Sequence, residues 1–329
     1  WENPYTTMEF ESEAIIVREF HKFLMNDDLY CGSKPVMWSV IEKTALAEAE
    51  VEYKEHISPT IWVKFPLISK EKPYDESSIL IWTTTPWTIP ANRAIAFSSK
   101  YEYGLYEVIE IEEGSLAKIG EKIIINSSLK ENLENASKTK INLIQNVDEI
   151  EKLICQHPFN SLGYDFDIPL LEGEFVTDET GTGFVHIAPS HGQDDYDLAS
   201  KNGIEAPFMI DDEGIYLPSV KVFAGKKVYE DDGSYGDGNG AVIRELINCN
   251  TLFAKKKLRH QYPHSWRSKA PLLFRNTPQW FISMEKNNLR NKSLSEIENV
   301  EWIPKRGKNR IKSMVDNRPD WVVSRQRAW

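Results

Sequence analysis

Three adjacent alcohols, Thr83, Thr84 and Thr85, lie in the stretch Trp82-Thr83-Thr84-Thr85-Pro86-Trp87-Thr88, directly after the apolar run Ile79 to Ile81. β-Branched threonine suits a strand, but Pro86 has no N–H and biases Thr85 toward an extended conformation, so the chain is predicted to leave its ladder there. Hydroxyls and freed backbone N–H groups at such a break can face a polar ligand. The plainer reading is a threonine-rich edge strand turning a corner, since polar strand ends are common. A second stretch, Gly181-Thr182-Gly183-Phe184-Val185-His186-Ile187-Ala188-Pro189-Ser190-His191-Gly192-Gln193-Asp194-Asp195-Tyr196, adds ionisable groups. It reads as a glycine turn, a short apolar strand carrying His186, and a loop whose acidic pair, Asp194 and Asp195, opens a helix to Ala199. Aspartate at a helix start is ordinary capping chemistry; if one of the pair only caps, the other is free to meet a cation in a cleft. A metal held by His186, His191 and the two aspartates is disfavoured. Zinc sites show tighter His spacing on a helix or Cys pairs, and Pro189 breaks the element between the imidazoles.

These groups need elements to position them. Met8 to Asn26 reads as a helix, with Ile16, Val17, Phe20, Phe23 and Leu24 recurring at three- and four-residue steps, and is predicted to pack by that stripe. Lys34 to Trp38 reads as extended, and Thr44 to Val51 as a short helix or turn. After Ser58 and Pro59 the pattern alternates, Ile61, Val63 and Phe65 on one side, Trp62 and Lys64 on the other. Further strands are predicted at Ile79 to Thr84, Ala94 to Phe97, Tyr103 to Ile111, Lys122 to Ile125 and Gly183 to Ala188. So many short strands predict an α+β chain with a β-rich body, closed as a barrel with helical decorations. Ser127 to Asn146 is polar and reads as a surface excursion, Val147 to Cys155 as a short helix, and Gly240 to Phe253 as a longer one.

With 329 residues and 41% hydrophobic composition, the chain has the size of two compact domains or one with extensions. No apolar run approaches the ~20 residues that span a bilayer, and the acidic start is unlike a signal peptide. A cytoplasmic location and no membrane partner are expected. Cys31, Cys155 and Cys249 form no Cys-x-x-Cys pair and encode neither a disulfide framework nor a zinc site. The net charge of −11 argues against a protein that coats nucleic acid, yet Lys255 to Trp329 holds 18 Lys and Arg against 6 Asp and Glu, leaving 21 against 44 before it. Two readings stand: a solvated basic surface, or one face that touches a phosphate backbone. Tyr262, Trp266, Trp280, Trp302 and Trp321 read mostly as buried anchors in that segment.

The hydroxyl run with Ile89-Pro90-Ala91-Asn92 after it, together with Gly181 to Tyr196, resembles the editing domain of the isoleucyl-tRNA synthetases; valyl and leucyl relatives carry a Thr-Thr-Arg-Pro form at the first site. Asn3 to Met8, Lys34 to Val36, Ala45 to Tyr53, Tyr262 to Arg267 and Arg318 to Trp329 are similar to the same family. The resemblance implies a β-barrel-rich editing domain at 58–256 on a smaller mixed stem, 1–57 and 257–329, returning toward a catalytic domain. Its activity would be hydrolysis of the ester of valyl-tRNA(Ile), with isoleucine excluded by size. Such a second sieve is needed because one methylene in an apolar pocket is worth only about 1–3 kcal/mol, a limit this synthetase family usually illustrates. The activated ester needs little beyond a water held beside it.

By the same resemblance Asp195 takes the substrate α-ammonium, Thr83, Thr84 and Thr85 bind the terminal ribose and ester and steady the oxyanion, and His186 borders the side-chain pocket in a steric and orienting role. Trp82, Pro86, Trp87, Thr182, Gly183 and Asp194 complete the expected substrate contacts. The partners implied are the tRNA(Ile) 3′ end and its valine moiety, bound by a monomer. Ser39, Glu42, Ser265 and Ser268 stand where many relatives have two Cys-x-x-Cys pairs around zinc; no metal or other cofactor is therefore expected, and packing alone would hold the two strands. There is no His-x-Gly-His motif and no Lys-Met-Ser-Lys-Ser loop, the signatures that bind ATP, with its Mg, in the parent enzyme. The chain is thus expected to be an excised piece that does not charge tRNA. A noncatalytic tRNA-binding module is the alternative.

Overall fold

The computed structural model describes residues 4–68 and 73–326. Asn3 and Trp329, at the outer limits of two of the family-like stretches, lie outside the described residues. Along the chain the strands are β1 (Leu29–Ser39), β2 (Thr44–Ala45), β3 (Val51–Pro66), β4 (Ser77–Thr83), β5 (Ala94–Phe97), β6 (Tyr103–Ile111), β7 (Lys122–Asn126), β8 (Thr139–Val147), β9 (Ile154–Gln156), β10 (Asp167–Glu172), β11 (Val185–Ile187), β12 (Leu252–Ser265), β13 (Leu273–Ile282) and β14 (Trp321–Val322). The helices are α1 (Phe10–Met25), α2 (Lys130–Ser137), α3 (Gln193–Lys201), α4 (Asp237–Asn248), α5 (Leu289–Asn299) and α6 (Arg306–Asp316). The chain forms two compact units, Lys34–Thr277 and, from two separate segments, Trp1–Ser33 with Pro278–Trp329.

In the larger unit a six-stranded sheet runs β12-β3-β4-β7-β6-β8 and a four-stranded one β11-β5-β10-β9. The alternation read in β3 is realised: Ile61, Val63 and Phe65 are fully buried in the main core, while Trp62 packs into a second core on the opposite face. Ile79 and Ile81 of β4 join the first core and Leu80 the second. Ile95, Phe97, Ile168 and Leu170 of the four-stranded sheet share the first core with β3 and β4, so the two sheets face each other across it. The predicted closed barrel is corrected: among the described residues the outer strands β12 and β8 are not paired to each other. Two mixed sheets, each with one parallel pair, replace it.

Ser127 to Asn146 is not a loose excursion. Leu133 and Ile141, both nearly inaccessible, anchor α2 and β8 to the second core, and β8 pairs with β6. Val147 to Cys155 holds a single 3-10 turn, Ile150–Lys152, and then the start of β9. The stem borders that the resemblance implies, after Ile57 and before Lys257, fall inside β3 and β12. These pair residue by residue from Val51 with Ser265 up to Ile61 with Lys255, and that ribbon belongs to the larger unit. At its base Glu42 Oε1 accepts from Ser265 Oγ (2.8 Å) and from Ser268 N–H (2.9 Å), and Ser39 Oγ accepts from Glu42 N–H (3.2 Å). Hydrogen bonds, and not packing alone, hold these loops.

In the smaller unit α1 forms as its periodicity predicts, but the stripe does not pack: no residue of α1 is buried, and Ile16 is 58% and Leu24 50% exposed. Glu298 of α5 joins α6 through Lys308 (2.5 Å) and Lys312 (2.9 Å). Of the expected aromatic anchors, Trp280 and Trp321 here and Trp266 in the larger unit are close to half exposed.

Candidate active site

β4 ends at Thr83, and Pro86 opens a 3-10 turn, Pro86–Ala91, every residue of which is buried. Proline at the first position fits, because its missing N–H would have had no partner there. The break folds the hydroxyls onto one another. Thr83 Oγ1 lies 3.2 Å from Thr85 Oγ1 and accepts from Thr85 N–H at 3.2 Å; Thr85 Oγ1 lies 3.3 Å from Thr88 Oγ1, which donates to Thr85 O at 2.8 Å. Thr83 and Thr88 are buried, Thr84 and Thr85 half-buried.

The chain of hydroxyls ends on an imidazole. His186 Nε2 is 2.9 Å from Thr88 Oγ1, and His186 Nδ1 is 2.8 Å from Asn92 Nδ2. Asn92 Nδ2 also donates to Ala94 O at 2.9 Å, and a carbonyl only accepts, so the amide is fixed and Nδ1 of the ring is an acceptor. The ring proton therefore sits on Nε2 and is given to Thr88. Burial, with His191 nearby, pushes the His186 pKa down to about 3. In this arrangement the imidazole is neutral and both of its nitrogens are engaged, one by Thr88 and one by Asn92.

Asp195 lies in the first turn of α3, which Gly192 caps, and turns back so that Oδ2 accepts from Ala188 N–H at 2.8 Å. Burial raises its pKa to about 7, opposed by that N–H and reinforced by the charge of Asp194. Asp194 itself is exposed. β11 and the residue after it carry both groups: its central residue, His186, bonds the hydroxyl chain, and Ala188, just past the end of the strand, gives its backbone N–H to the carboxylate.

The remaining expected contacts divide. Trp82 lies on the other face of β4 from Ile81; a Cβ on Gly181 would stand 3.2 Å from its ring. Trp87 is buried, edge-on to His191 at 4.5 Å, with its N–H donating to Asn239 Oδ1 at 3.0 Å and its carbonyl accepting from Tyr216. Thr182 is buried and its carbonyl accepts from Asn126 N–H at 2.9 Å. Gly183 has φ +77 and sits where a Cβ would be 2.3 Å from Asn126 Cβ, so only glycine fits. Thr88 and Asn92 were not among the residues singled out by type and spacing, although Asn92 closes the same family-like motif. Among the described residues no group of three or more His, Cys, Asp or Glu is placed to hold a metal.

The profile of the class I tRNA synthetases (I, L, M and V) matches residues 1–329, and the chain belongs to that family. Within it, the isoleucine–tRNA ligases of Rhodopseudomonas palustris and Agrobacterium fabrum are each 48% identical over the whole of this chain. The chain spans 35% and 36% of their lengths. Among solved structures, the P. knowlesi cytosolic leucyl-tRNA synthetase editing domain aligns with 64% of this chain and 100% of its own, at 12% identity and TM-score 0.43. GlLeuRS-CP1 aligns with 60% and 99%, at 16% identity and TM-score 0.42.

Proposed function

We propose that this chain is the editing unit of an isoleucyl-tRNA synthetase, acting in the cytoplasm to hydrolyse the ester of valyl-tRNA(Ile) and to exclude isoleucine by size. The observation that carries the reading is the attachment of the hydroxyl chain to His186 and of the part-buried Asp195 carboxylate to the backbone N–H of Ala188, two residues further along the chain. Asp195 takes the α-ammonium, which selects aminoacyl esters over other RNA ends. Thr83, Thr84 and Thr85 hold the terminal ribose and ester and, with backbone N–H groups, meet the charge that develops on the carbonyl oxygen as water adds. His186, fixed by Asn92 and Thr88, sets the wall of the side-chain pocket and does not move a proton. No metal takes part, so hydrolysis is expected to survive exhaustive chelation. The direct test is incubation of the chain with valyl- and isoleucyl-tRNA(Ile) in parallel. Release of valine with isoleucine retained is expected; equal rates, or none, would refute the assignment.

A further inference from the structure

We infer that the bare face of the β3–β12 ribbon carries the single-stranded RNA end into the site, with Lys255, Lys257 and Arg259 holding successive phosphates. This rests on the ester reading of the site. Cross-strand partners share a face of a sheet. Lys255 pairs with Ile61, and Ile61 with Thr83, so the lysine and the first hydroxyl stand in one row, two strand spacings or about 10 Å apart. β4 stops at Thr83, whereas β3 and β12 continue together to Val51 and Ser265. The ribbon therefore projects past the site, and Lys257 and Arg259 step outward along it at about 7 Å intervals.

The two faces of the ribbon differ. One carries His56, Ser58, His260, Tyr262 and His264, over which Tyr235 bonds His56 (2.7 Å) and Ser58 (3.2 Å). The other shows Tyr53 at 67% and Ile57 at 48% exposure beside the three cations. Lys256, on the covered side of the alternation, spends its ammonium on Asn135 O at 2.9 Å. Among the described residues Lys255 and Lys257 have no acidic partner, and Arg259 has Glu55 at 2.7 Å, an exposed pair that a phosphate can displace. Three cations face one carboxylate, on a chain whose first 254 residues are strongly acidic. The Tyr53 ring supplies a surface on which a base can stack.

The test uses a short RNA hairpin ending in a single-stranded CCA, bound to the whole chain at several salt concentrations, with melting temperature as the check on folding. The triple variant Lys255→Ala, Lys257→Ala, Arg259→Ala is expected to weaken binding at least tenfold. Its plot of log affinity against log salt should be shallower by about 2, each single-strand phosphate contact contributing about 0.7. Lys256→Ala should leave both quantities in place. Unchanged affinity and slope in the triple variant would overturn the inference, and self-association in their stead would assign these cations to guarding the sheet edge. RNA binding with the expected slope by a chain that hydrolyses no ester would sustain the surface and refute only the ester reading.

Discussion

On the proposed ester reading, Asp195 is expected to make hydrolysis answer to pH near neutrality. Its carboxyl, raised to about 7 by desolvation, would have to be ionised to receive the ammonium, so productive binding is expected to grow as pH rises through 7 and to fall again as the α-amino group deprotonates near 8. The pH profile of kcat/KM is expected to show an acid limb near 7, and that of kcat a lower one, because the bound cation favours the carboxylate. Coincident limbs would argue against a charge pair at Asp195. The folded state favours the protonated acid, so the stability this group contributes is full below its unfolded value and is lost as pH rises toward 7. Asp195→Asn keeps an acceptor for Ala188 N–H; it is expected to abolish hydrolysis yet raise the melting temperature at pH 8, and a fall there would contradict a desolvated carboxylate. Residue type and spacing pick out the threonines and the acidic pair as candidates, and the roles proposed for them come from the family resemblance. The parts played by Thr88 and Asn92 were not legible in the sequence, because they exist only once positions 98 and 94 residues apart meet on His186.

Elements with strong local patterns came through plainly: β5, β6 and α1 form where they were read, and so does the second half of β3, whose first half, from Val51, lacked the alternation. α2 and β8 were hidden because two buried side chains, Leu133 and Ile141, suffice to order a stretch that is otherwise polar. Barrel closure was beyond reach, since strand count says nothing of which edges meet. Glu42 shows how a loop pair is joined. Burial pushes its pKa up, but hydrogen bonds from Ser39, Ser265 and Ser268 together hold it below the ordinary carboxylate range. That contribution is present above the unfolded value and is lost as pH falls through the folded one. Glu42→Ala is expected to cost about 1–2 kcal/mol in urea unfolding at pH 7, and less once the pH has fallen below the folded-state value of the carboxyl. An equal cost under both conditions would mean that the charge plays no part.

Across the whole molecule, apolar surface is unevenly covered. The stripe of α1, read from sequence as a packing face, stays open in a chain that spans little more than a third of its relatives' length. Substituting Ile16→Glu and Leu24→Lys is expected to lower binding of an apolar dye while leaving the melting temperature unchanged, because neither side chain is buried; a clear loss of stability would show that the stripe packs after all. His186 offers the opposite extreme. With its one lone pair turned onto Asn92 and its edge sealed from solvent, the ring is closed to electrophilic labels, so carbethoxylation at this position should proceed only as fast as the larger unit comes apart, and its rate becomes a clock for unfolding.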